Sequence, residues 1–249
     1  MVMQTLGVVL KKSAYQEDRV LLDLFTEQHG KIKVLARRSR KARYSDQIFE
    51  LGHWQLKAGK VFYFAEDYDS VQHAFIKGLN VWSGYYLNEL LMRLMSTHHA
   101  DSSLFTHYWR ALAALEHADA DLQEWMLRTF EKALLETLGS MPDLTADSEG
   151  DEIQADLNYY VGIEAGLSKH PFKVPTPVMP GHHILTLQMI EQTHQYERLD
   201  RPLLQHYKRM MRFLLQPLLG KEPLQSRLWL QSLHAKQQST PLSDTRSSL

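Results

Sequence analysis

The sequence contains no cysteine. That absence removes disulfides, thiolate metal sites and cysteine nucleophiles from consideration. It also fits a reducing compartment. Long apolar runs are missing, so no transmembrane helix is expected. Met1-Val2-Met3-Gln4-Thr5 carries no basic stretch leading into an apolar segment, so no secretory signal is expected. Catalytic signatures are missing as well. The Gly-Lys pairs are Gly30-Lys31, Gly59-Lys60 and Gly220-Lys221, and none has the flanking residues of a phosphate-binding loop. There is no His-Glu-x-x-His zinc motif and no Gly-x-Ser-x-Gly nucleophile elbow. His98-His99 and His182-His183 are adjacent pairs, which do not share a helix face and suit joint metal ligation poorly. The expectation is a protein with no catalytic residues, no metal and no cofactor.

What is present is an uneven distribution of charge. The net charge is −1 over 249 residues. Between Lys31 and Arg43 stand seven basic residues and no acid: Lys31, Lys33, Arg37, Arg38, Arg40, Lys41 and Arg43. The remainder of the chain therefore stands at −8. An acidic protein that concentrates positive charge in one short segment has a local electrostatic site.

Two kinds of hydrophobic pattern divide the chain. Residues 1–79 read as about five short strands: Leu6–Leu10, Arg19–Phe25, Lys31–Ala36, Ile48–Leu56 and Val61–Ala65. Gln28-His29-Gly30 and Ala58-Gly59-Lys60 supply turns. Lys31 and Lys33 alternate with Ile32 and Val34, the period of a strand with one wet face. Strands of this number and length suggest a small closed barrel of the OB type. Residues 80–234 read as helical, with amphipathic stretches at Trp82–Thr97, Leu104–Leu115, Leu122–Leu138, from Ile184, Asp200–Pro217 and Leu224–Leu233. Glu89 leads Arg93 by four, Asp119 stands at a helix start, Gly139 suits a helix end, and Asp200 with Pro202 marks another start. Residues 140–183 are acidic or proline-rich and read as an irregular insert, with Tyr159-Tyr160-Val161 a possible strand. Residues 235–249 read as a disordered tail. The fold class is α+β: a barrel, then a helical domain with an irregular insert.

The basic run fits contact with phosphates, whose strength falls steeply with salt. Five single-strand phosphate contacts would give a log–log slope of roughly −3 to −4. Tyr44, Trp54, Phe62, Tyr63 and Phe64 lie close in sequence and could stack on bases or pack in the core. A second basic feature lies on the Asp200–Pro217 helix, where Arg201, Lys208 and Arg212 fall within roughly 40° of one another. Lys221 and Arg227 follow. That helix face could bind nucleic acid or be merely solvated. Two alternatives to DNA binding remain open: a general RNA- or single-strand-binding module, and a metal-dependent nuclease, against which the lack of clustered acids argues.

Several segments together resemble the bacterial DNA repair family RecO. They are Asp18-x-x-Leu21-Leu22-Asp23-Leu24-Phe25-Thr26-Glu27-x-x-Gly30, the basic run, and Gly84-Tyr85-Tyr86-Leu87-Asn88-Glu89-Leu90-Leu91. Arg128-x-Phe130-Glu131-x-x-Leu134-Leu135-x-x-Leu138-Gly139 and Leu219-Gly220-Lys221-x-Pro223-Leu224-x-Ser226-Arg227 complete the set. Arg38 replaces a frequent glycine and Glu222 a frequent lysine. Some members carry a four-cysteine zinc module, whose counterpart here is the cysteine-free insert. The resemblance implies an OB-fold barrel and binding of single- and double-stranded DNA. It implies strand annealing, and help in loading the RecA recombinase onto strands coated by single-stranded DNA-binding protein (SSB). Expected partners are the acidic SSB tail, RecR and, indirectly, RecA, in a nucleoid-associated cytoplasmic setting. Arg128 matches a position implied for the tail site, with a salt bridge to Glu124 as the alternative reading.

Overall fold

The computed structural model describes residues 2–37 and 47–239. Five strands close into a barrel in the order β1-β2-β3-β5-β4, with β4 returning to β1. They are β1 (Val2–Gln16), β2 (Arg19–Thr26), β3 (Gly30–Arg37), β4 (Glu50–Ala58) and β5 (Tyr63–His73). All pairs are antiparallel except the short parallel contact of β3 with β5, the arrangement of an OB barrel. β1 is far longer than the apolar Leu6–Leu10 run. Its first half pairs with β4 and its second half with β2, so one strand serves two neighbours.

The helical body comprises α1 (Asn80–Leu94), α2 (Ser102–His117), α3 (Ala120–Thr137), α4 (Gly181–Thr193), α5 (Arg201–Leu219) and α6 (Gln225–Ser239). Caps fall where expected. Asp119 accepts from the Leu122 amide, Asp200 from the Leu203 amide, and Gly139 takes φ +65° just past α3. The expected tail of residues 235–249 is helical over 235–239, where α6 continues to Ser239, and residues 240–249 lie outside the described residues.

The insert is ordered. Strands β6 (Asn158–Gly162), β7 (Gly166–Ser168) and β8 (Val178–Pro180) form a small antiparallel sheet. Leu144, Ile153, Tyr159, Val161, Leu167 and Met179 enter the main core from it. These anchors are spaced too widely to show a period, which is why the stretch reads as irregular. Its acids are not simply solvated. Asp147, Glu149 and Asp151 close on the Lys169 ammonium at 3.0, 3.3 and 2.6 Å.

Two cores result. The barrel interior holds Val9, Val20, Leu22, Leu24, Ile32, Val34, Trp54 and Leu56. The larger core spans the helices and also takes Val8, Leu10, Phe25 and Leu51 from the outside of the barrel. The Val8-Val9-Leu10 run is thus apolar on both faces because both faces are covered. Phe25 meets Phe105 and Tyr108 of α2 at ring separations of 5.5 and 5.6 Å. Asn88 donates to the Leu10 carbonyl at 2.9 Å and accepts from the Tyr108 hydroxyl at 2.7 Å.

Electrostatic clasps finish the body. Glu89 and Arg93 pair at 3.8 Å, as their spacing on α1 predicts. Glu89 accepts from the amides of Gln225 and Ser226 at the start of α6. Arg93 donates to the carbonyls of Leu219 and Glu222 beyond α5. One pair on α1 therefore holds the whole α5–α6 junction. Among the described residues no helix is long and apolar enough to cross a membrane.

Asp101 ties α2 to α3. It caps α2 by accepting from the Leu104 amide at 2.9 Å and receives the Thr137 hydroxyl at 2.6 Å. Burial pushes its carboxyl up, but the bonds from Thr137, Leu104 and Ser103 win, and its pKa lies below the ordinary value. Asp101→Ala is expected to lower the unfolding free energy by about 1–2 kcal/mol in urea titrations at neutral pH. A lowered carboxylate pKa contributes stability above its unfolded value and loses it as pH falls through the folded one. The difference between wild type and variant should therefore shrink below about pH 4.

Candidate nucleic-acid interface

The barrel end away from the helices is built from three segments. The first is the β1–β2 tip, where a register shift between Ala14 and Gln16 leaves Tyr15 in a bulge. The second is the end of β3, where Leu35 pairs with Phe64 and Arg37 with Arg19. The third is the β4–β5 turn. Tyr15 meets Phe62 edge-to-face at 5.7 Å, so the first and third segments touch. A Cβ on Gly59 would stand 2.5 Å from the Phe64 ring, so glycine lets that ring lie across the turn.

This rim leaves apolar groups in solvent. Val61 is 80% exposed, Tyr15 45% and Phe64 39%. Exposed cations surround them: Arg37, Lys57 and Lys60, with Arg19 half-buried. Arg37 and Arg19 stand 3.7 and 3.9 Å from the exposed Asp18, contacts worth little in water. Backbone phosphates could meet the cations while bases stack on the rings, the combination that single-strand sites use.

The expected DNA-binding residues divide on inspection. Lys33 and Arg37 are exposed, although Lys33 pairs with the buried Asp23 at 3.2 Å. Lys31 requires correction. Its ammonium is buried and donates to the Leu91 and Met92 carbonyls at 3.3 and 2.8 Å, at the end of α1. Burial lowers its pKa, opposed by Asp23. The period-two pattern is right, but the helical body covers the first residue of the wet face. Gly30 makes that approach possible, with φ +62° and the His99 carbonyl where a Cβ would stand. Arg38, Arg40, Lys41 and Arg43 lie outside the described residues, as does Tyr44. Trp54 is a core residue at 1% exposure. Tyr15 was not marked by the sequence, and Val61 was marked only as the start of a strand.

The C-terminal cations divide in the same way. Arg212 and Lys221 are exposed. Lys208 pairs with Glu124 at 2.8 Å. Arg227 is half-buried with its guanidinium 5.6 Å from the Tyr86 ring centre.

Arg128 is the second correction. Its side chain is 5% exposed and lies 3.0 Å from Glu131 and 3.4 Å from Glu124. Glu131 is fully buried and also accepts from the Tyr86 hydroxyl. Burial pushes the Glu131 carboxyl up, against the pull of Arg128. A guanidinium enclosed by two carboxylates inside the core has no face for a partner's acidic tail. The spacing Glu124, Arg128, Glu131 already places three charges on one helix face. Arg128→Ala is expected to cost about 3–5 kcal/mol in urea unfolding, because Glu131 is left charged and buried. Adding Glu131→Gln, which keeps the bond with Tyr86, should recover much of that loss.

A groove of about 850 Å³ opens elsewhere on the helical body, between α2, α3 and the end of α4. Trp125, Leu122, Met126 and Ile190 line it, with Arg110, Lys132 and His117 beside them. Lys132 pairs with Glu136 and Glu191 at 2.8 and 3.1 Å. Arg110 is exposed and makes no ion pair among the described residues.

Comparison with known proteins adds the following. Residues 1–72 match the family model described as Recombination protein O N terminal, and residues 79–228 match Recombination protein O C terminal. The DNA repair protein RecO of Chromobacterium violaceum is 31% identical over 243 residues, covering 92% of this chain and 94% of that protein. The DNA repair protein RecO of Pseudomonas putida strain W619 is 35% identical over 222 residues, covering 88% and 93%. That of Actinobacillus pleuropneumoniae serotype 7 is 29% identical over 235 residues, covering 91% and 94%.

Proposed function

We propose that this chain, which belongs to the RecO family of DNA repair proteins, is a non-enzymatic recombination mediator that grips DNA at the free rim of its barrel. The observation that carries this reading is the rim itself, where Tyr15, Val61 and Phe64 stand in solvent among Arg37, Lys57 and Lys60. The basic segment Arg38–Arg43 follows Arg37 directly in the sequence. Strand annealing on such a surface needs no covalent step. Two strands approach once their phosphates are partly neutralised, and base pairing supplies the free energy. The same neutralisation serves single- and double-stranded DNA, because both present phosphates.

Partners follow the family reading. The acidic SSB tail needs a cation beside an apolar recess, and the α2–α3 groove with Arg110 offers both. Arg128 does not line that groove and pairs with Glu124 and Glu131 of its own helix. Docking there would bring coated strands to the rim, and with RecR would assist RecA loading. A nucleoid-associated cytoplasmic setting fits these partners.

Two measurements test the reading. Replacing Arg37, Lys57 and Lys60 together by Ala should weaken binding of a fluorescent oligothymidylate. It should also make the log–log salt slope shallower by about 2, at roughly 0.7 per lost phosphate contact. An unchanged slope in the folded variant would remove the rim from the DNA site. Arg110→Glu should weaken binding of a labelled peptide carrying the acidic SSB tail sequence at least ten-fold in anisotropy titrations. Equal binding would place the tail elsewhere.

A further inference from the structure

A second aromatic surface lies where α6 crosses the start of α1. Trp82 and Trp229 stand 5.3 Å apart at 60°, and Tyr85 lies 5.8 and 6.5 Å from them. Trp229 is 48% exposed, with Leu228 and Leu79 exposed beside it at 41% and 42%. Trp229 is the exposed member of the group, while Trp82 and Tyr85 are half-buried, Tyr85 against the helical core.

The charge around them is one-sided. No Asp or Glu occurs from Ser70 to Asn88, nor from Pro223 to Ser239, the two segments that meet here. This happens in a chain with 29 acids. Of the carboxylates flanking these segments, Glu50 is buried and accepts from Ser70, Glu89 is bound to the α6 amides and Arg93, and Glu222 is exposed beside Lys221. Lys77 is exposed in the first segment, Arg227 lies one residue before Leu228, and Lys221 is exposed just before α6. An exposed indole backed by two half-buried rings, on two segments that carry cations and no acid, matches the chemistry of unpaired bases on a phosphate backbone.

The position is distinct from the barrel rim. Phe49 joins Tyr85 at 5.5 Å and pairs this surface with the far end of β5, near His73. The rim lies at the other end of that strand, beside Tyr63 and Phe64. A strand of this length spans about 33 Å at roughly 3.3 Å per residue.

We propose that the Trp82–Tyr85–Trp229 surface is a second single-strand site, which stacks unpaired bases and holds one strand while the rim holds another. The proposal rests on the reading of the protein as a DNA annealer. It adds what that reading lacks, a separate place for the second strand.

The test uses the full chain, a fluorescent oligothymidylate, wild type and the rim variant described above, with Trp229→Leu and Trp229→Phe each placed in both backgrounds. Each is first matched for its melting curve by circular dichroism. Trp229→Leu keeps an apolar side chain but no ring, so stacking predicts affinity five-fold or more weaker, measured in the rim-variant background. Trp229→Phe should retain most of the affinity. Wild type should bind two oligomers per protein at saturation and Trp229→Leu one. If Trp229→Leu binds as tightly and as many strands as its parent, the proposal is overturned and the surface is a contact for another protein. If Trp229→Leu abolishes binding while the rim variant does not, this site stands and the rim reading falls. If the rim variant alone abolishes all binding, the rim reading stands and this one falls.

Discussion

The arrangement depends on one seam, the burial of the barrel's outer wall against α1 and α2. Val8, Leu10, Phe25 and Leu51 face outward from the barrel yet are almost fully buried. Each apolar side chain of that size contributes about 1.5–3 kcal/mol when removed from water. Exposed, the same four would make an insoluble stripe. The barrel is therefore not a freestanding module, and its core continues into the helices. Lys31 closes the seam chemically, because its ammonium donates to the carbonyls of Leu91 and Met92 at the end of α1. By covering one wall and one end, the seam decides which end of the barrel stays open to a ligand.

A second theme is the separation of cations by role. Lys31, Arg93 and Lys169 are held by carbonyls or carboxylates and join elements together, and Arg128 is held by two carboxylates of its own helix. Arg37, Lys57, Lys60, Arg110, Arg212 and Lys221 point outward. The net charge of the chain says nothing about this division. What matters is whether a carboxylate or a helix end lies within reach of each side chain, and that is a property of the fold.

The same distinction explains how much the sequence revealed. The barrel was legible in short β-branched runs bounded by Gly30 and Gly59, and the helices in their 3.6 periodicity and caps. The seam was legible only in part. Leu6–Leu10 read as a short apolar strand, but nothing local named the element that covers its outer face. Lys31 looked identical to Lys33, because their difference lies 60 residues away at Leu91. Arg128 was misjudged although Glu124 and Glu131 stood at helical spacing, since the pattern does not reveal burial. Of the insert, the Tyr159–Val161 strand was legible, and the rest read as irregular because its apolar anchors, from Leu144 to Met179, serve a core assembled from other segments. Trp82 and Trp229 lie far apart in the chain, so their meeting could not be seen before the helices crossed.

Lys169 gives the insert a particular character. Three carboxylates gather around one positive centre, the arrangement by which many small loops capture a dissolved ion. Here the centre is a side chain of the loop's own neighbour. The clasp assembles as soon as the chain folds, without cargo, and no chelator or change in ion supply can empty it. What it responds to instead is ionic strength and any chemistry that removes the charge of that one amine.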